Sequence, residues 1–309
     1  MVTYHKTESG RMKQLEELTP GCWVNMIQPN EEELTQLAQQ LEIADPTFLR
    51  AALDEEEASR IETEDGVTLL VVDIPYSEEQ GDGSLLFSTL PLAIVVTARN
   101  VVTVSLKETS VVRDFAAGQV KNVDTAMRTR FTLNLMLRAA GKYLLHLRQI
   151  ERSSSKIEGE RYKSLKNEEL IQLLTLEKSL VYFTTSLKST ETTLEKLLRG
   201  RILRLYEEDQ DLLEDVIIEF KQAIEMADIY SSILDSTMEA FASVISNNLN
   251  ITMKALTVIT ILMTIPNMVF GFYGMNVSDL PLPVTWFPLA LSLAVTGLTW
   301  LVLKKKNLY

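Results

Sequence analysis

Two uncharged apolar segments close this chain, and they constrain its fold more than any other feature. The first, residues 255–273, runs for about 19 residues without a charge, roughly the length that spans a bilayer core. The second, residues 284–303, ends in Lys304, Lys305 and Lys306. A backbone in lipid must satisfy its own hydrogen bonds, so two isolated spans are predicted to be helices. The spacing predicts transmembrane helices over 251–275 and 284–303, a loop over 276–283 between them, and a basic tail over 304–309.

What precedes them is compatible with water. The 309-residue chain has a net charge of −12, and the segment from Ile251 onward carries four lysines and one aspartate, which leaves −15 on residues 1–250. That acidity argues against nucleic acid as a partner, since phosphate backbones reward basic surfaces. It suits either cation binding or plain solubility. Cys22 is the single cysteine, which excludes an internal disulfide framework and a cysteine-based metal cluster. His5 and His146 lie far apart and lack the neighbours of a zinc or catalytic site. With no nucleophile or base constellation and no Gly-Lys-Ser/Thr phosphate loop, neither an enzyme nor a nucleotide partner is expected.

Orientation follows from the lysines. Positive residues beside a span stay in the cytoplasm, so the 304–306 cluster puts the C-terminus there. Two spans return the N-terminus to the same side, and the loop, which has no Lys or Arg, becomes external. Tyr273 and Trp286 then fall at the outer interface, where aromatic rings are favoured. The N-terminal residues form neither an apolar signal nor an Arg/Ser-rich transit peptide. A multi-pass protein of a bacterial or archaeal cell (inner) membrane is the expectation.

Residues 1–125 read as an α/β cytoplasmic domain. Runs beginning at Val67, Leu92 and Val101 are rich in β-branched residues, with a Gly81-Asp82-Gly83 turn between the first two. Pro29-Asn30 before three glutamates reads as a helix start, with acids where the helix dipole favours them. Residues 126–250 read as a long helical stalk, with leucines at helical spacing and a turn near Gly200-Arg201. From about Asp209, neither glycine nor proline interrupts the chain until Pro266. One helix of over 50 residues is predicted to run from there into the membrane.

Within that helix residues that, apart from Met253, are small or polar recur every seven positions. One register gives Asn250, Thr257, Thr264 and Gly271, the other Met253, Thr260, Asn267 and Gly274. The residues between them are mostly Leu, Ile, Val, Met and Phe. Such a division separates a face that meets helices or water from one that meets lipid. It fits close helix packing through small residues, or a pore assembled from several copies. Hydroxyls and amides without an acid or base suit a hydrated Mg²⁺, which dehydrates reluctantly, and offer little to a soft transition metal.

A first span that ends in Tyr273-Gly274-Met275-Asn276, followed by a short loop and a C-terminal second span, resembles the CorA family of divalent-cation channels. Trp23 ahead of Pro29-Asn30 adds a weaker likeness to that family's cytoplasmic domain. The resemblance implies an α+β membrane protein: a cytoplasmic α/β domain, a helical stalk and two terminal spans, five copies forming a funnel in the lipid bilayer. It implies Gly274, Met275 and Asn276 as the selectivity motif, with Asn276 the selectivity residue. Asn250 would be an inner polar ring, with Met253 and Leu256 a hydrophobic gate able to block ions by dewetting.

The same resemblance implies Mg²⁺ as both transported and regulatory ion, bound between neighbouring cytoplasmic domains at acids matching Asp215 and Glu239. Three acidic clusters, at 54–57, 62–65 and 207–215, are candidates for such a sensor or for solvated faces. The expected activity is passive Mg²⁺ influx, with Co²⁺ and Ni²⁺ as further candidate ions. The alternatives are a Zn²⁺ transporter of the same superfamily (the ZntB branch) and a non-conducting membrane-tethered scaffold or sensor.

Overall fold

The structure, a computed structural model, describes residues 1–79, 85–159, 167–200, 206–276, 280–282 and 284–306. The turn expected at 81–83, Arg201 of the turn expected after Gly200, and Asp279 lie outside them. The chain divides into two compact units, Met1–Thr237 and Met238–Tyr309.

The first unit is built on one sheet. Among the described residues it comprises β1 (Val2–Glu8), β2 (Arg11–Leu15), β3 (Trp23–Ile27), β4 (Arg60–Glu64), β5 (Val67–Glu79), β6 (Leu85–Val96) and β7 (Val101–Ser105), in the order β2-β1-β3-β7-β6-β5-β4. Among the described strands, only β3 and β7 pair in parallel. Ser9-Gly10 and Asp65-Gly66 close the β1–β2 and β4–β5 hairpins, all four residues having positive φ. That is the two-residue turn whose twist matches the strands, and it needs left-handed backbone at both positions. Asp65 thus has a structural role in a segment also expected as a possible cation sensor.

The central strands are apolar without interruption because both faces are covered. On one face α1 (Glu31–Gln40), α2 (Thr47–Arg50) and a 3-10 turn (Ala51–Leu53) bury Leu34, Leu37, Phe48 and Leu49 against Val24, Met26, Leu69 and Val71. The predicted start of α1 is a full capping box: Asn30 accepts from the Glu33 amide and Glu33 accepts from the Asn30 amide. On the other face α3 (Ser110–Ala116), α4 (Arg128–Gly159) and α5 (Asn167–Gly200) form the third layer.

There Trp23 packs its ring on Phe115 and Phe131, at centroid distances of 6.4 and 5.3 Å, and donates to Thr103 Oγ1 at 2.8 Å. Tyr143, Phe183 and Phe87 continue the aromatic layer around His146. Burial, with Lys142 nearby, pushes the His146 imidazole down to about 4, so it stays neutral in the fold.

The region expected as a stalk from residue 126 instead begins by completing this domain. Tyr143 donates from α4 to the Asp73 carbonyl at 3.1 Å, and Ser186 and Thr190 of α5 meet Thr89 and Ser59 at 2.9 and 3.1 Å. Burial raises the Asp73 carboxyl, against hydrogen bonds from Ser186 and Ser59. The first unit therefore extends through both helices and into α6 (Glu207–Tyr273), a single helix of 67 residues. Arg130 pairs with Glu208 at 2.9 Å at the start of α6, and Leu213, Val216, Phe220 and Ala223 bury the inner face of the first turns.

Candidate ion-conduction site

The second unit holds the C-terminal part of α6 and α7 (Trp286–Lys305), which among the described residues are the two helices long and apolar enough to cross a membrane. Only 6% and 11% of their apolar windows is buried, so they are not the core helices of a soluble domain. An apolar surface of this extent needs lipid or partner helices to cover it. Lys304 Nζ lies 5.0 Å from the Trp300 ring, a cation and an aromatic paired at the end of α7.

Burial along each helix falls on one stripe. On the apolar part of α6 the sheltered positions are Val258, Leu262, Ile265, Pro266, Val269 and Tyr273. On α7 they are Phe287, Pro288, Ser292, Thr296, Thr299 and Leu303. The rings of Tyr273 and Phe287 meet at 6.1 Å, where the end of α6 adjoins the start of α7. The small Ser292 is 4% exposed, as expected where helices approach closely.

The polar stripe read from the sequence is not part of this contact. Asn250, Met253, Leu256, Thr257, Thr260, Thr264, Asn267 and Gly271 are all exposed. At about 100° per residue, their face is centred about 180° from the face that α7 covers. The hairpin therefore leaves free the side of α6 that carries the amides, hydroxyls and glycines. Packing of the two helices of one chain does not account for the stripe.

The hydroxyls on that side have a fixed orientation. Thr257, Thr260 and Thr264 donate to the carbonyls of Met253, Leu256 and Thr260 at 2.8, 2.8 and 2.7 Å. With the proton committed to the helix, each hydroxyl oxygen presents acceptor lone pairs outward. Water bound to a divalent cation is a donor, so such a face complements a hydrated ion. Pro266 lies within α6, where it removes one backbone donor and frees the Leu262 carbonyl.

Gly274 and Met275 close the helix. The Gly274 amide donates to the Phe270 carbonyl at 2.9 Å and that of Met275 to the Phe272 carbonyl at 3.4 Å, leaving Met275 and Asn276 exposed. Gly274 is not among the left-handed residues; a Cβ there would stand 3.1 Å from the Phe270 oxygen, so close approach is what glycine supplies. Tyr273 Oη donates to the Pro281 carbonyl at 3.0 Å and ties the end of α6 to the far side of the loop. Neither Pro281 nor Phe287 was legible as a partner, because no periodicity links a loop carbonyl to a phenol eight residues earlier.

A model of the CorA-like Mg²⁺ transporter proteins matches residues 20–305. The chain belongs to that family. The cobalt/magnesium transport protein CorA of Methanocaldococcus jannaschii is 28% identical over 272 residues, covering 84% of this chain and 81% of the relative. The complete structure of the CorA magnesium transporter from Methanocaldococcus jannaschii superposes with a TM-score of 0.82 at 22% identity, covering 100% of this chain and 99% of that one. A full-length CmaX structure gives 0.71 at 17% identity over 99% and 97%. The ZntB cytoplasmic domain of Vibrio parahaemolyticus gives 0.59 at 11% identity, covering 80% of this chain and 96% of that one. At these identities the structural likenesses establish the fold. A CorA-family chain is a divalent-cation transporter and carries its two apolar helices at the C-terminus.

The acids implied by the CorA resemblance are exposed. Asp215 and Glu239 lie on the outer surface of α6, well apart along it. Among the described residues no three His, Cys, Asp or Glu side chains converge as a metal site within one chain. The other clusters are partly occupied: Arg60 pairs with both Glu57 and Glu62, and Arg130 lies near Asp209 as well as Glu208.

Proposed function

We propose that this chain assembles as a homo-oligomer, a pentamer by family resemblance, and conducts Mg²⁺ passively into the cytoplasm along the polar face of α6. The observation that carries this reading is the opposition of faces: α7 covers one side of α6, and the amides, hydroxyls and glycines occupy the other. One helix cannot enclose a path, so several copies must bring that face to a common axis. Asn276 offers a carbonyl oxygen to the incoming hydrated ion at the outer mouth, within the Gly274-Met275-Asn276 turn. Asn250, Thr257, Thr260, Thr264, Asn267 and Gly271 line the path, with Met253 and Leu256 as the hydrophobic constriction.

Lysines at the end of α7 support cytoplasmic termini and an external loop. Two charges moving down 100 mV release roughly 4.6 kcal/mol, so no nucleotide is required. Regulation by cytoplasmic Mg²⁺ is assigned to Asp215 and Glu239 facing acids of a neighbouring copy, where a divalent cation converts repulsion into attraction. The absence of any three-ligand cluster within one chain among the described residues is consistent with a site that needs a second copy. The name of the Methanocaldococcus relative supports Mg²⁺ and Co²⁺ as cargo.

The test is Mg²⁺ entry into sealed liposomes holding purified protein, with an inside-negative potential and no internal Mg²⁺. Potential-dependent uptake that is lost in Asn276→Ala is the expected result. Uptake of Zn²⁺ but not Mg²⁺ would move the assignment to a zinc carrier. Uptake of neither ion would leave a non-conducting scaffold.

A further inference from the structure

The first unit contains a cavity of about 170 Å³ between α4, α5 and α6, and the transport reading makes no use of it. Its apolar wall is formed by Ile150, Leu180, Ile233 and Leu234. Its polar side comes from α4, where Glu151, Ser154 and Glu158 share one helix face. Both carboxylates are held in place: Ser155 Oγ donates to Glu151 Oε1 at 3.1 Å, and Thr237 Oγ1 donates to Glu158 Oε1 at 2.7 Å. Among the described residues, no lysine or arginine forms an ion pair with either.

Between the two acids lies Ser154, 8% exposed, its Oγ buried and without a hydrogen-bond partner. A helical serine commonly bonds back to the carbonyl four residues earlier, as Ser179 and Ser232 do here. Ser154 does not, and a buried hydroxyl left unmet is unfavourable unless a ligand meets it.

The spacing discriminates between cations. Seven residues of helix rise about 10 Å. Side chains rooted that far apart, each carboxylate already held by its own hydroxyl partner, do not suit one Mg²⁺, whose ligands all lie about 2.1 Å from the metal. The apolar wall between them equally has nothing to offer a bare or hydrated metal ion. Two anionic ends joined by an aliphatic surface complement a molecule with two cationic ends joined by methylenes. At about 30 Å³ per water, the cavity has room for the equivalent of roughly six waters, the scale of a short chain.

We propose that this cavity binds a short aliphatic diamine. Its ammonium groups meet Glu151 and Glu158, its methylenes lie along Leu180 and Leu234, and Ser154 Oγ accepts one N–H hydrogen bond. The assignment is independent of which ion the membrane helices conduct.

Calorimetric titration of the full-length protein in detergent tests it, using 1,4-diaminobutane, 1,5-diaminopentane, n-butylamine and MgCl₂ as separate ligands. Saturable binding of a diamine at one site per chain is expected, with n-butylamine at least about tenfold weaker. Glu151→Gln and Glu158→Gln should each weaken diamine binding about tenfold, and Ser154→Ala several-fold, without a change in melting temperature. Should Ser154→Ala melt early, the two glutamine variants decide alone. Absence of saturable diamine binding would overturn the proposal, and so would diamine binding unaffected by either glutamine variant. Mg²⁺ heats abolished by the same variants, with no diamine heat, would make this a metal site instead.

Discussion

The hydroxyl of Tyr273 donates to the carbonyl of Pro281 at 3.0 Å, while its ring rests against Phe287. One side chain therefore joins the last residue of α6 to both the loop and the first turn of α7. The Gly274-Met275-Asn276 turn lies inside that closure. A polar turn at a membrane surface has little packing of its own, so its geometry depends on how firmly its ends are held.

Tyr273→Phe retains the ring contact and removes the bond to Pro281. A hydrogen bond of this kind contributes about 1 kcal/mol, so the turn should lose order by a factor of about five. Initial Mg²⁺ uptake in liposomes should fall several-fold, whereas the melting of the first unit should not move. Unchanged uptake would mean that the loop is held by other contacts.

The threonine face gives a sharper contrast. Thr260→Val keeps the shape and removes the oxygen, and Thr260→Ser keeps the oxygen and the bond to Leu256. Because every copy would lose an acceptor, uptake should fall about tenfold or more in the valine variant and little in the serine variant. Equal rates in the two variants would argue that the face packs against helices and does not line a path.

Acidification should destabilise the first unit through His146. Its folded value is lowered to about 4 from an ordinary 6.5, so between those values the unfolded chain binds more protons than the fold. Stability is complete above about pH 6.5 and declines toward pH 4, by about 3 kcal/mol in all. Asp73 acts in the opposite sense, since burial raises its carboxyl and protonation relieves it. Urea unfolding across this range should show the slope in the native chain. His146→Phe, which suits the pocket of Phe87 and Phe183, should flatten it.

Asp114 is 5% exposed and holds Arg138 and Lys142 at 2.5 and 2.7 Å between α3 and α4. Burial pushes its carboxyl up, but hydrogen bonds from Lys142 and Arg138 outweigh that and keep it below the ordinary carboxylate value. Asp114→Ala would leave Lys142, itself little exposed, without a counter-charge. Allowing for the partly exposed Arg138, a loss of about 2–3 kcal/mol is expected in urea unfolding. A loss below 0.5 kcal/mol, the scale of about an ordinary surface substitution, would rule out a structural role for the pair.

Sequence alone determined the helical spans, the α/β character of the first hundred residues, the start of α1 at Asn30 and the existence of one uninterrupted α6. These follow from local rules: charge-free length, β-branched runs, capping chemistry and the absence of glycine or proline. The polar stripe was legible for the same reason, since a helix repeats at fixed spacing. Only the tertiary structure decided which side of α6 remains free, because burial at Val258 or Val269 depends on the register of another helix. It also decided that α4 and α5 form the third layer on the sheet, since a leucine pattern marks an apolar face without naming what covers it. Gly274 follows the same division: the sequence marks a glycine, and only its distance to the Phe270 carbonyl gives the reason.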